Sequence, residues 1–209
     1  MKKIIIAIDS FKGCLTSAEA GKAAEKGIKS INPFCHTSVI PIADGGEGLL
    51  DVLITATKGK YITLSAHGPL MKMAKTHYGL SGNGRTAIIE MAAISGLPLV
   101  PIEQRNPMLT TTFGTGELIK DALNKGCRNF IIGIGGSATN DAGLGMLQAL
   151  GFRFLDKSGH TLGTGGQIME AVANIDTSGI HPALRETHFM VACDVANPFY
   201  GPDGAAYIF

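Results

Sequence analysis

Three stretches of this chain share one pattern: an apolar run, then an acid, then glycines or small polar residues. They are Asp9-Ser10-Phe11-Lys12-Gly13, Asp44-Gly45-Gly46-Glu47-Gly48, and the loop that starts at Asp194 and runs through Asn197-Pro198 to Gly204. A fourth stretch, Gly135-Gly136-Ser137-Ala138-Thr139-Asn140-Asp141, follows the apolar run Ile131–Ile134 and adds hydroxyl and amide donors to glycines. Acids at the ends of several strands suit a general base or the ligation of Mg2+, directly or through water. Lys12, alone in its loop, suits a phosphate oxygen as a point charge. These are the parts that phosphoryl transfer needs: positioning, cationic charge on the transferring group, and a base for the acceptor hydroxyl.

Each residue also has a plainer reading. Asp9 fits a helix cap or a bond to its own turn. Lys12 fits a solvated loop lysine, and Asp194 before Asn197-Pro198 fits a turn former. Asp44 and Glu47 fit a glycine turn leading into a helix N-terminus. Glu90 lies inside an apolar strand, and a buried carboxylate without a partner is costly. It therefore either faces solvent on the alternating face or serves the site.

The strand, glycine turn and helix expected across residues 131–150 form a unit that points bare N–H groups at an anion. A rival template fits the same run. Gly133-x-Gly135-x-x-Ala138 matches the dinucleotide fingerprint, and Asp156 lies near the expected ribose position. Asp141 speaks against it, because a carboxylate in the first helical turn would repel a diphosphate. Neither the Walker A pattern nor the protein-kinase motif set is present.

The elements that must position these residues can be read in order. Ile4–Ile8 and Thr37–Ile42 read as strands, Ala18–Ile28 and Leu49–Thr57 as helices, with Thr16 and Glu19 spaced as a capping box. This β-loop-α-β-loop-α order predicts a parallel sheet whose ligands sit beyond the strand carboxyl ends. The pattern changes near Tyr61. Strands over Tyr61–Ala66, Ala74–Leu80 and Arg85–Met91, with Ser81-Gly82-Asn83-Gly84 as a hairpin turn, predict a mixed sheet. A helix over Glu117–Asn124, one over Ala142–Leu150 and a strand over His188–Cys193 follow. A boundary near residue 66 divides the chain into 1–66 and 67–209.

The bulk numbers bound the partners. With 209 residues, 45% hydrophobic and 17% charged, the chain has ample material for a core. A net charge of +1 makes no electrostatic case for nucleic acid or an anionic membrane. No stretch is long enough to span a bilayer. The four cysteines lack paired spacing and read as reduced cytoplasmic thiols, mostly in the core. Oligomeric state is not legible.

Asp9–Gly13, Pro41-Ile42-Ala43-Asp44-Gly45-Gly46-Glu47-Gly48 and Ile134–Asp141 closely resemble the bacterial glycerate kinase family, type 1. Thr112-Phe113-Gly114-Thr115-Gly116-Glu117-Leu118, Ala192-Cys193-Asp194-Val195, Asn197-Pro198 and Gly201-Pro202 extend the resemblance over most of the chain. Cys14 stands where a small hydroxyl residue is expected, and Ala142 where glycine is frequent. The resemblance implies ATP-dependent phosphorylation of D-glycerate, favouring the 2-position, with Mg2+ in a cytoplasmic enzyme. It implies an α/β protein in which a Rossmann-like parallel-sheet domain is interrupted by a second, mixed α/β domain. Family members are longer, so the resemblance also implies an N-terminal fragment in which the C-terminal part of the first domain is absent. On this reading Asp44, Asp194 and Lys12 are catalytic, with Asp44 and Asp194 near Mg2+. The substrate and nucleotide face Asp9, Ser10, Lys12, Gly45, Gly46, Glu47, Glu90, Gly135, Gly136, Ser137, Thr139, Asn140, Asp141 and Asn197. A dinucleotide-dependent oxidoreductase and a non-catalytic hydroxy-acid binding module are the alternatives.

Overall fold

The computed structural model describes residues 3–11, 13–43, 45–46, 48–193 and 201–202. β1 (Lys3–Ile8) leads through a loop into α1 (Ser17–Ile31) and back to β2 (His36–Pro41), which pairs parallel with β1. α1 starts where its capping box is complete. Thr16 Oγ1 accepts from the Glu19 N–H, and the Thr16 N–H donates to Glu19 Oε2 at 2.9 Å. These bonds hold the Glu19 carboxyl below its ordinary range. Ser17, at the first turn of α1, donates to the Ile8 carbonyl at 2.6 Å and accepts from the Ile42 N–H at 3.0 Å. One buried hydroxyl thus ties together the chain leaving β1 and the chain leaving β2. Ile5 and Ile40 on this two-stranded unit remain exposed.

A five-stranded mixed sheet forms the larger body, in the order β3-β4-β5-β6-β9. β3 (Lys60–His67), β4 (Met73–Leu80) and β5 (Thr86–Glu90) run antiparallel in succession, while β6 (Asn129–Gly133) and β9 (His188–Ala192) continue parallel to β5. β5 is buried on both faces, as expected of a central strand under helical cover. α4 (Phe113–Asn124) covers one face, where Leu118, Ile119 and Leu123 meet Ala87, Ile89 and Phe130. Each such aliphatic side chain contributes about 1.5–3 kcal/mol by burial. α2 (Leu49–Thr57) covers the other face with Leu50 and Ile54 against Ile88. A short helix, α3 (Ala92–Ser95), follows β5; α5 (Leu144–Ala149) follows the glycine turn. A small antiparallel pair, β7 (Arg153–Leu155) and β8 (Asn174–Asp176), lies between α5 and β9.

The expected boundary at residue 66 falls inside a hairpin, since β3 pairs with β4 along its whole length. The change of sheet comes earlier, between β2 and α2, because α2 packs on the five-stranded sheet. The thiols also differ from expectation. Only Cys35 and Cys127 are buried, whereas Cys14 and Cys193 are exposed. Among the described residues no helix is long and apolar enough to cross a membrane.

Candidate functional site

Parallel pairing sets the site. Glu90 pairs with Gly133, and Gly133 with Ala192, so the carboxyl ends of β5, β6 and β9 lie in one row. The loop after β2 reaches this row. A Cβ on Gly45 would lie 2.8 Å from the Ala192 carbonyl carbon and 3.2 Å from Cys193 N. One on Gly133 would lie 2.6 Å from the Gly45 carbonyl oxygen, and one on Gly135 would lie 2.9 Å from Gly46 Cα. Backbone crosses backbone here at a spacing that side chains forbid. The crossing sets Gly45 and Gly46 against Gly133, Gly135 and the backbone of Ala192 and Cys193.

This crossing also removes the dinucleotide reading. Gly133 and Gly135 are faced by the backbone of Gly45 and Gly46, in the space a pyrophosphate would need. α5 begins only at Leu144, well after the turn, not directly behind it as the fingerprint requires.

At the helix mouth Asp141 points inward. Asp141 is 1% exposed, and its carboxylate is occupied by the protein. It accepts from the N–H groups of Thr112 (2.8 Å), Gly143 (3.1 Å) and Gly145 (3.2 Å) and from the hydroxyls of Thr111 (3.2 Å) and Thr112 (3.0 Å). It therefore closes the N-terminal ends of α4 and α5 together instead of facing a ligand. A Cβ on Gly145 would strike Thr111 Oγ1 at 2.0 Å, which is why glycine stands at that closure.

Glu90, at the carboxyl end of β5, is half-buried. Its Oε1 accepts from the Leu50 N–H at 2.8 Å, with Gly48 N–H as a second donor, so it caps α2 from the neighbouring strand. Gly48 itself has no side chain to do so. Burial pushes the Glu90 carboxyl up, and the Leu50 bond partly offsets this. The folded state therefore holds the Glu90 proton to higher pH than the unfolded chain does. Its contribution to stability falls as pH rises from the ordinary carboxylate range through that raised value. Glu90→Gln keeps an acceptor and is expected to abolish this slope in urea midpoints measured from pH 4 to 7. Glu90→Ala is expected to cost about 1–2 kcal/mol through the lost cap.

What remains open to solvent is the turn before Asp141. Gly135, Gly136 and Asn140 are exposed, and Ser137 and Thr139 are half-buried. Ser137 Oγ and Thr139 Oγ1 bond at 2.8 Å, and the Thr139 N–H donates to Ser137 Oγ at 3.0 Å. Among the described residues the Gly135 and Gly136 N–H groups donate to no protein acceptor, which leaves them for solvent or ligand oxygens. Ala142, next in line, has φ +51°, a left-handed conformation costly for a residue with a Cβ. Ala142→Gly is expected to stabilise the chain by about 0.5–1 kcal/mol in thermal or urea unfolding.

Asp9 and Ser10 are half-buried, and the Ser10 N–H donates to Asp9 Oδ1 at 2.6 Å, the bond of a local turn. No hydrogen bond among the described residues joins them to the glycine turn. Lys12, Asp44, Glu47, Asp194 and Asn197 lie outside the described residues. Among the described residues there is no group of three or more His, Cys, Asp or Glu that could hold a metal ion. The residues that sequence reasoning missed are Thr110, Thr111 and Thr112, all buried under the turn and bonded to it or to Asp141. Their one signal in the sequence is three adjacent hydroxyl residues ahead of a helix.

Comparison with known proteins agrees with this architecture. The sequence profile of the glycerate kinase family matches residues 4–209. The chain is 53% identical over 207 residues to a glycerate kinase of Bacillus subtilis (strain 168), covering 99% of this chain and 54% of that protein. It is 49% identical to the glycerate 2-kinase of Escherichia coli (strain K12), again over 99% of this chain and 54% of that protein. The crystal structure of a candidate glycerate kinase 2 from Salmonella typhimurium LT2 superposes with a TM-score of 0.90 at 48% identity, covering 100% of this chain and 56% of that one. The chain thus spans about half the length of the curated relatives it matches. With the family profile running along almost all of it, the chain belongs to the glycerate kinase family.

Proposed function

We propose that this chain carries the acceptor side of an ATP-dependent glycerate kinase that phosphorylates D-glycerate, at the 2-position, in the cytoplasm. The observation that supports this most is the crossing of Gly45–Gly46 over the row of strand ends at Glu90, Gly133 and Ala192. Loops beyond the carboxyl ends of parallel strands are where α/β sheets bind ligands. The acids Asp44 and Asp194 adjoin this crossing in sequence, beside Gly45 and Cys193. As oxygen donors they match the preference of magnesium and would hold it with the nucleotide phosphates. Bound Mg2+ and ATP would supply the phosphoryl group and the charge that steadies its transfer.

The chain's own residues would do the rest. The Gly135 and Gly136 N–H groups, with Ser137, Thr139 and Asn140, would donate to the carboxylate or hydroxyl oxygens of glycerate. Lys12 would meet a phosphate oxygen, with Asp9, Ser10, Glu47 and Asn197 lining the same loops. Asp44 or Asp194 would take the proton of the attacking hydroxyl. Identities near 50% to proteins named glycerate kinase and glycerate 2-kinase support this choice of substrate and position.

The test is coupled ADP release with ATP, Mg2+ and D-glycerate, on this chain and on a version extended to the length of its relatives. Phosphorus NMR would assign the product. Turnover that depends on D-glycerate, giving the 2-phosphate, is expected from the extended version. If neither version turns over while D-glycerate still binds, the reaction is wrong and the ligand right.

A further inference from the structure

One residue of the turn, Ala138, is gripped through both of its backbone polar groups. The Ala138 N–H donates to the Ser95 carbonyl oxygen at 2.9 Å, and the Ala138 carbonyl accepts from the Thr110 hydroxyl at 2.8 Å. Ser95 and Thr110 are 0% and 1% exposed, so both grips come from the interior. Ser95 is itself fixed. Its N–H donates to the Met91 carbonyl at 2.8 Å, and its hydroxyl shares a bond of 2.8 Å with Thr115 Oγ1. Next to Ala138, Gly96 bridges Ser137 and the Leu97 N–H donates to the Gly136 carbonyl at 3.0 Å. The turn therefore has a backbone held on the inside and hydroxyls and N–H groups presented on the outside.

Thr110 is the one part of this grip made by a side chain. A valine would fill the same volume, so a buried hydroxyl at this position is accounted for by the bond to Ala138. We propose that Thr110 is a positioning residue: it fixes the Ala138 carbonyl and so presets Ser137, Thr139 and Asn140 for the substrate. This rests on the reading of the turn as the oxygen-binding element of a glycerate kinase. Presetting lowers the ordering that binding would otherwise require, so its loss should appear first in substrate affinity.

The experiment compares Thr110→Val with Thr110→Ser, and uses Thr110→Ala if the valine variant does not fold. Amide hydrogen exchange over residues 134–140 is read on this chain, and steady-state kinetics on the version extended to the relatives' length. Thr110→Val is expected to speed exchange of the bonded Ala138 and Thr139 amides at least tenfold and to raise the D-glycerate KM at least fivefold, with a smaller change in kcat. Thr110→Ser keeps the hydroxyl and is expected to stay within twofold of the parent in both. The proposal is overturned if the valine variant exchanges at the parent rate, or if the serine variant is as loose as the valine one. Absence of D-glycerate turnover in the parent would refute the kinase reading alone, and the exchange comparison still decides the grip.

Discussion

Asp141→Ala is expected to destabilise the chain by about 3–5 kcal/mol. The carboxylate is 1% exposed and serves three N–H groups and two hydroxyls from two helix starts. An alanine leaves these donors facing one another in a space too small to hydrate all of them. Hydrogen bonds to a charged acceptor contribute about 1.5–3 kcal/mol each, and an orphaned buried donor costs about 1–3. These terms are not additive, so the expected loss lies well below their sum. Asp141→Asn keeps one oxygen but turns an NH2 toward existing donors, and should cost less than alanine yet still more than 1 kcal/mol. Urea unfolding followed by circular dichroism reads both. A midpoint for Asp141→Ala that matches the parent would mean that α4 and α5 do not depend on this carboxylate.

Local patterns in the sequence anticipated local structure. The Thr16–Glu19 box, the run Leu49–Thr57 and the Ser81–Gly84 turn each depend on residues a few positions apart, and each stands as read. The start of α4 was misplaced for a physical reason. Gly114 and Gly116 look like helix breakers, yet the helix begins at Phe113. A Cβ at these positions would lie 1.9 Å from the His67 carbonyl oxygen and 2.3 Å from that of Met146. The glycines are there for close packing, and that partner is invisible in a local window. Asp141 shows the same limit. Its neighbours left open a ligand at a helix mouth or an acid that only caps helix dipole charge, and its partners Thr111 and Thr112 lie 30 and 29 residues earlier. Glu90 meets Leu50 across 40 residues. Residue types and loop positions were legible, whereas the pairing of a buried acid with its donors is a tertiary fact.

With Asp141 bonded to two helix starts and Glu90 Oε1 to α2, the acids proposed to act on substrate are Asp44 and Asp194, which adjoin the glycine crossing in sequence. Asp44→Asn and Asp194→Asn, each in the version extended to the relatives' length, are therefore expected to lower kcat by about 10²–10⁴-fold. The amide keeps the size and one oxygen of the carboxylate but cannot accept the hydroxyl proton, and it binds magnesium far less well. The two roles separate in the kinetics. Loss of the base should depress kcat at saturating Mg2+, whereas loss of a metal ligand should raise the Mg2+ concentration needed for half-maximal rate. The expected outcome is one variant of each kind, because accepting the hydroxyl proton and ligating the metal are separate tasks for two carboxylates. Near-normal kcat in both variants would remove these acids from the chemistry. The base would then have to come from the Asp9 loop, whose carboxylate is bonded to its own turn in the structure.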